Sequence, residues 1–410
     1  MLKNKKKAFF FLRHNNDIDH IVPVIYKWLK TEEIPTEIII TTKRDYKEDY
    51  RIKFLMDFKN VKISYINDLF DKKSREYLFN YFYFKYGAKS DRIIEKYSFI
   101  KNMVDKSIKK IANKIFKDAD KAIVVFDWTI TYFVKQMVSA AKEKKIITIS
   151  LPHGDAPYVN DMTTNDRIYK LDTNWDGHQV FDIFDYVVVP NKLCLKRYDK
   201  YMSGKKLKMF GSPRYCDEWM QLLPKIKKKG KLDFGKDKIK LVLFLRNMYY
   251  PVFWEEVSRT IFMISKFQDL FLVVKHHPRG QNMVEKFNEI KDLPNVLHAF
   301  NDINSDDLLD WADIILDIGT SIVWEPIKKE KPVLSLEYLH ANYSTPAYYL
   351  KNSEIKYRDQ LYELLQKISN KDLKKSYNEN ERKKFIKEVI DVPDKKVLER
   401  YVKFLKECLK

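Results

Sequence analysis

Short runs of apolar residues alternate along the chain with longer segments in which apolar residues return at helical spacing. The first set of runs lies at 8–12, 37–41, 61–65, 122–126, 146–151, 186–190 and 208–210. Runs of this length fit buried strands, and most of the intervening segments fit amphipathic helices. Strands that alternate with helices build a parallel, doubly wound sheet.

The same alternation starts again in the second half of the chain. Its apolar runs lie at 241–245, 270–275, 296–299, 314–316 and 333–336, and 371–410 is mostly charged helix. The interval 219–238 is polar and basic, which is typical of a linker. We therefore predict an α/β protein with two doubly wound Rossmann-type domains, at 1–218 and 239–410, the second ending in C-terminal helices. Ligands of such sheets bind beyond the carboxyl ends of the strands, so we expect the two domains to face a cleft.

Composition supports a folded protein with a basic surface. Of 410 residues, 45% are hydrophobic and 33% are charged, which excludes a disordered chain. A formal net charge of +20 favours polyanionic partners such as phosphorylated substrates, anionic lipid or nucleic acid. Nucleic acid remains a weak alternative, because no RRM, KH or zinc-finger signature is present. Three scattered cysteines without a CxxC pair argue against a zinc site and against a disulfide framework.

The helical insert predicted at 68–120 is rich in Tyr, Phe, Lys and Ile. Ordinary amphipathic packing is one interpretation of this pattern. The other is a surface that rests on anionic lipid or holds an acidic acceptor. No apolar run reaches the ~18 residues of a spanning helix, so we predict a cytoplasmic protein, with peripheral contact at the inner membrane face left open.

One turn in the second domain predicts an anion site. The strand at 314–316 breaks into Gly319, Thr320 and Ser321 and then opens a short helix. Free backbone N–H groups and the helix dipole favour a phosphate there, and the two hydroxyls add donors. Glu325 lies one turn further on, where a carboxylate can accept hydrogen bonds from ribose hydroxyls. The alternative is that Thr320 and Ser321 only cap a helix.

Histidines follow strands in both halves. His153 comes after the strand at 146–151 and is a candidate general base, because an unperturbed imidazole titrates near neutrality. In the second half, His276, His277 and Pro278 follow the strand at 270–275, which ends in Lys275, and histidine and cationic donors suit a departing pyrophosphate. His276 and His277 point in different directions, and we favour His277. Weaker phosphate candidates, Arg246 and Asn247, follow the strand at 241–245.

A third group of residues is assigned to binding of an acceptor, the second substrate of a group-transfer reaction. Asp17, Asp19 and His20 suggest a metal cluster, but we interpret them as a loop and helix cap after the first strand, with acceptor binding as the functional alternative. The other acceptor candidates are Gly154, Asp155 and Arg214.

The order of these motifs resembles the CDP-glycerol glycerophosphotransferases of teichoic-acid synthesis and related capsular-polysaccharide transferases of GT-B fold. The matching residues are His153-Gly154, Gly211, Pro213, Arg214, His277-Pro278, Thr320-Ser321, Glu325 and Lys331-Pro332. The chain departs from the family pattern at Asp217, which comes one residue late, and at Asp317, which is shifted by one. Gly319 also stands where the family has Tyr, and Glu325 where it has Asp.

The resemblance implies transfer of a glycosyl or polyol-phosphate group from a CDP- or CMP-linked donor to a surface glycan or lipid-linked acceptor. His153 would deprotonate the acceptor, and His277 would stabilise the leaving phosphate. No metal and no tightly bound cofactor would be needed. The first alternative is a UDP-sugar enzyme of the same fold, either a transferase or a UDP-GlcNAc 2-epimerase-like enzyme. An epimerase needs further acidic residues for proton transfer at the sugar, and the sequence alone does not place them.

Overall fold

The computed structural model describes residues 6–42, 46–75, 88–119, 121–128, 130–160, 162–165, 168–171, 182–199, 202, 204–227, 230–246, 251–277, 283–369 and 378–410. Its strands are β1 Lys6–Leu12, β2 Thr36–Ile40, β3 Val61–Tyr65, β4 Lys121–Phe126, β5 Ile147–Ser150, β6 Met162–Asn165, β7 Ile168–Leu171, β8 Tyr186–Val189, β9 Leu207–Met209, β10 Ile239–Phe244, β11 Leu270–Lys275, β12 Val296–Ala299, β13 Ile314–Asp317, β14 Val333–Leu336 and β15 Glu354–Ile355.

The α-helices are α1 Asn15–Thr31, α2 Tyr50–Met56, α3 Ile66–Leu69, α4 Lys72–Ser74, α5 Ala88–Lys96, α6 Ser98–Ile115, α7 Tyr132–Glu143, α8 Lys192–Asp199, α9 Asp217–Ile226, α10 Trp254–Ile264, α11 Met283–Lys286, α12 Ser305–Trp311, α13 Trp324–Lys328, α14 Thr345–Tyr349, α15 Arg358–Ser369, α16 Glu379–Phe385 and α17 Val397–Cys408.

The first compact unit contains a parallel sheet with the order β3-β2-β1-β4-β5-β8-β9. Its central strands are apolar on both faces because helices cover both sides of such a sheet. Phe10 of β1 and Ile21 of α1 are fully buried in one shared core. Strands β2 and β3 are added on one side of β1, and β4 and the later strands are added on its other side. The carboxyl ends of β1 and β4 therefore form the topological switch point.

The second unit repeats this design with the order β12-β11-β10-β13-β14-β15, again with parallel pairing. Its core joins Leu243 of β10 with Leu316 of β13 and Ile261 of α10. The switch point lies between β10 and β13. The two parallel sheets with flanking helices confirm the predicted α/β class of two Rossmann-type domains.

Two segments join a different unit from the one that their sequence position predicts. The first unit comprises 1–155, 176–227 and 389–410, and the second comprises 156–175 and 228–388. Helix α17 packs in the first core because Val397, Tyr401 and Leu405 are buried against α1. The segment 156–175 carries the antiparallel β6–β7 hairpin, which the apolar pattern did not predict. The predicted linker 219–238 also begins inside α9.

The predicted helical insert contains α4, α5 and α6, and most of its aromatic stretch, at 76–87, lies outside the described residues. Helix α6 buries Val104, Ile108 and Ile111, while Lys106 and Lys110 are exposed. No helix within the described ranges is long and apolar enough to cross a membrane. Contact with anionic lipid stays a prediction.

Candidate functional site

Three polar side chains meet where the sheet of the first unit has its switch point. Asp127 follows β4 directly, Asp17 lies in the first turn of α1, and His153 comes shortly after β5. The His153 ring contacts Asp17 through Nδ1, and the same nitrogen lies 3.1 Å from Asp127 Oδ2. Asp17 and Asp127 are buried, whereas the His153 side chain is 22% exposed. The fold therefore places two carboxylates beneath one accessible imidazole.

The backbone fixes Asp17 in this position. Its Oδ2 accepts hydrogen bonds from the N–H groups of Arg13 and His14, at 2.7 and 2.8 Å, so that Oδ1 is left to contact His153. With His14 it forms the capping box that starts α1 at Asn15. The loop predicted for Asp17, Asp19 and His20 is therefore wrong, because α1 already begins at Asn15, whereas the predicted helix cap is present at Asp17.

The two carboxylates determine the charge of His153. Burial by itself would lower the pKa of the imidazole, but the negative charges of Asp17 and Asp127 raise it to about 10. Burial and the charge of Asp127 raise the pKa of Asp17. At neutral pH His153 thus carries a proton that it can donate. This differs from the near-neutral pKa on which the prediction of a general base rests.

The same three side chains could hold a divalent metal ion. Among the described residues, Asp17, Asp127 and His153 form a group whose ligand atoms lie within 4.8 Å of one another. Carboxylate and imidazole donors suit several transition metals. The negative charge of the two carboxylates is also offset without a metal. The raised pKa of His153 favours its positively charged form, and Arg13 Nη2 lies 3.5 Å from Asp127 Oδ2.

The remaining acceptor candidates form two neighbouring pairs. His20 Nε2 lies 3.6 Å from Asp155 Oδ2, and both side chains are almost fully buried. Asp19 forms ion pairs with Arg214, at 3.0 Å, and with Arg51. The structure therefore brings Asp17 to His153 but turns Asp19 and His20 to other partners. Gly154, between His153 and Asp155 in the chain, has open space where a side chain would stand.

Burial raises the pKa of Asp155 to about 7, although the positive charge of Arg214 opposes this shift. An unfolded aspartate titrates near 3.9. Between these two pH values only the folded state holds the proton, so this group's contribution to stability is complete below about pH 4 and is lost as the pH rises to 7. The loss is expected to be roughly 4 kcal/mol.

Asp155→Asn should flatten this part of the stability profile, because the amide does not titrate. The measurement is urea unfolding from pH 4 to 8, with the wild type and the variant compared at each pH. Parallel curves for the two proteins would contradict the raised pKa.

The predicted anion turn in the second unit has a defined backbone geometry. Gly319 has φ +80°, which favours glycine, and an added Cβ would overlap the Tyr158 ring. Thr320 donates to Asp317 Oδ1 from its backbone N–H, at 2.8 Å, and from its hydroxyl, at 3.2 Å. Its side chain therefore folds back and does not cap the 3₁₀ turn Ser321–Val323 that follows. Burial raises the pKa of Asp317 to about 6.

Other predicted donor residues have partners of their own. Arg246 donates to the Gly319 carbonyl, so the structure brings this candidate to the turn. Glu325 forms an ion pair with Lys329 at 2.6 Å. The Lys275 ammonium is bound by the carbonyls of Phe300 and Ile303.

The two adjacent histidines after β11 differ in environment. His276 is buried, stacks on Phe300 and contacts His298 at 3.0 Å. Burial lowers its pKa to about 4. His277 is partly exposed, and its contact with a ligand stays a prediction. Asn247 and Pro278 lie outside the described residues.

Asp127, Arg13 and Tyr158 were missed as site residues from the sequence. Asp127 and Arg13 directly follow β4 and β1, the neighbouring strands of the switch point, and this position could have indicated them. No local signal could have indicated Tyr158, because its contacts are with residues far away in the chain.

Known structures share this fold over almost the whole chain. A UDP-N-acetylglucosamine 2-epimerase from Methanocaldococcus jannaschii matches with a TM-score of 0.60 and 16% identity, covering 98% of this chain and 99% of its own. The Neisseria meningitidis epimerase bound to UDP-GlcNAc matches with a TM-score of 0.57 and 14% identity, covering 98% of this chain and 100% of its own. An S. aureus MnaA structure with UDP matches with a TM-score of 0.59 and 12% identity, covering 98% of this chain and 96% of its own. No family model matches this chain, and no curated protein does.

These comparisons correct the resemblance drawn from the motifs. Several of the structures that share the fold are UDP-GlcNAc 2-epimerases, so the assignment to CDP-glycerol glycerophosphotransferases and capsular transferases is wrong. The ligands named for them are UDP and UDP-GlcNAc, which overturns the prediction of a CDP- or CMP-linked donor. The motifs misled because a His-Gly, a His-Pro and a hydroxyl pair at strand ends are short signals that do not specify a donor. At these identities the likeness shows the GT-B-like fold alone.

Proposed function

We propose that this protein binds a UDP-linked sugar and inverts that sugar at a carbon bearing hydrogen, as a UDP-GlcNAc 2-epimerase does. The observation that carries the proposal is the Asp17–His153–Asp127 cluster. It supplies the acidic residues that an epimerase requires and that the sequence alone did not place. The fold likeness, which includes proteins holding UDP or UDP-GlcNAc, supports the choice of nucleotide.

Inversion at such a carbon requires one group to remove the proton and another to return a proton to the opposite face. The cluster can supply only one of these two groups, because Asp127 Oδ2 lies 3.1 Å from His153 Nδ1 and the two side chains therefore approach a sugar from the same side. We assign removal of the proton to a group outside the cluster. We assign proton return to His153, whose raised pKa keeps it protonated at neutral pH.

We assign the nucleotide to the second unit, at the turn from Gly319 to Ser321 with Arg246 and His277. Isothermal calorimetry with UDP, UDP-GlcNAc, CDP, CMP and GDP tests this assignment. Selective binding of the uridine nucleotides is expected. A folded protein that binds none of them would overturn the proposal.

Proton NMR of UDP-GlcNAc with the protein in D₂O separates the epimerase from a UDP-sugar transferase. An epimerase exchanges the hydrogen at the inverted carbon for deuterium and produces a second isomer without an acceptor. A protein that binds UDP-GlcNAc but causes neither change is not an epimerase of this sugar, and the transferase alternative would then replace it.

A further inference from the structure

Tyr158 lies in a short segment that hydrogen bonds fix to the second unit. Thr345 donates to the Ala156 carbonyl from its hydroxyl, at 2.6 Å, and to the Pro157 carbonyl from its backbone N–H, at 2.8 Å. Val159 N–H donates to the Tyr343 carbonyl at 3.0 Å. Tyr158 itself is 4% exposed. The segment therefore places one aromatic side chain in a fixed position.

That side chain packs directly against the predicted nucleotide turn. The Tyr158 hydroxyl donates to the Ile318 carbonyl at 3.1 Å, and its ring lies where a Cβ on residue 319 would stand. The Arg246 guanidinium sits 4.8 Å from the ring centroid while it donates to the Gly319 carbonyl. The ring thus excludes every side chain at position 319 and also supports the cation that binds this residue.

Three successive residues of the turn are held by three different side chains. Tyr158 binds the Ile318 carbonyl, Arg246 binds the Gly319 carbonyl, and Asp317 accepts from the Thr320 N–H. A loop held in its binding conformation avoids an ordering cost when a ligand arrives.

We propose that Tyr158 is a positioning residue that holds the Ile318–Thr320 backbone in the conformation that accepts the diphosphate of UDP. The inference rests on the proposed function, because it takes UDP as the ligand. It adds a residue from the first half of the chain, three positions after Asp155, to the determinants of nucleotide affinity.

Tyr158→Phe tests the role of the hydroxyl, because it keeps the ring under Gly319. The variant should bind UDP about fivefold more weakly, the effect of one ordinary hydrogen bond, and should bind uridine as the wild type does. The matched control is Tyr401→Phe. Tyr401 is likewise buried, and its hydroxyl likewise donates to a backbone carbonyl, that of Gly211 at 3.0 Å. The control should lose stability but keep its UDP affinity.

Equal loss of UDP and uridine affinity, or unchanged UDP affinity in folded Tyr158→Phe, would overturn the positioning role while leaving the proposed function intact. Absence of UDP binding by the wild type would overturn both. If Tyr158→Phe does not fold, Thr345→Val replaces it, since it loosens the segment that carries Tyr158 without touching the turn. Its UDP affinity should fall while its uridine affinity stays constant, and wild-type UDP affinity would overturn the inference.

Discussion

Gly319→Ala is expected to abolish measurable UDP binding and to destabilise the second unit. The backbone at this position has φ +80°, a conformation that costs an L-residue about 1–2 kcal/mol. The added methyl group would also overlap the Tyr158 ring, and overpacking of a buried site costs about 1–3 kcal/mol more. Either the ring or the turn must move, so the residues assigned to the diphosphate lose their alignment.

Calorimetric UDP titration and urea unfolding measure the two effects of Gly319→Ala. Gly154→Ala is the matched control, because that glycine has no atom within 4 Å of an added Cβ and no left-handed backbone. It should keep both wild-type stability and wild-type UDP affinity. A Gly319→Ala protein that binds UDP normally would show that the turn does not contact the nucleotide.

His153→Gln is expected to lower the rate of deuterium exchange into UDP-GlcNAc by roughly 10²- to 10⁴-fold, the usual contribution of a positioned acid or base. UDP affinity should not change, because the nucleotide is assigned to the other unit. Glutamine keeps an N–H donor beside the buried carboxylates but cannot release a proton. The measurement is the NMR exchange assay, with UDP titration of the same protein.

His298→Gln is the control for loss of a partly buried imidazole. Its Nε2 contacts the Ile290 carbonyl, and its Nδ1 lies 3.0 Å from His276 in the second unit, away from the carboxylate cluster. Its exchange rate should stay near that of the wild type. Undiminished exchange in His153→Gln would remove His153 from the proposed chemistry and would leave the two carboxylates as the only candidates from the cluster.

The charge of His153 can be measured without any substrate. In an NMR titration, the ring resonances of His153 should show a protonated imidazole through pH 8, because the two carboxylates raise the pKa of His153 to about 10. In Asp127→Asn the pKa should fall, since one of the neighbouring negative charges is gone. A wild-type ring that titrates near 6.5 would restore the prediction of a general base.

Much of the fold could be predicted from local patterns. All strands of the two large sheets except β15 were predicted from apolar runs, because a strand of a parallel sheet is buried on both faces and must be apolar along its length. β15, with two residues, is too short to produce such a pattern, and the β6–β7 hairpin, MTTN and IYKL, contains no continuous apolar run of strand length. The membership of α17 in the first unit was also not predictable, because an amphipathic helix does not specify which core its apolar face joins.

The candidate site was likewise predictable from the sequence only in part. The sequence by itself determined the strand ends at which the site residues lie, the turn that begins at Gly319 and the position of His153 after a strand. The tertiary structure decided that His153 meets Asp17, 136 residues earlier in the chain, and Asp127. It also decided that two carboxylates raise the pKa of His153 and that Tyr158 packs against the turn. The reason is that burial, neighbouring charge and hydrogen bonding between distant segments depend on positions in space, which a linear pattern does not contain.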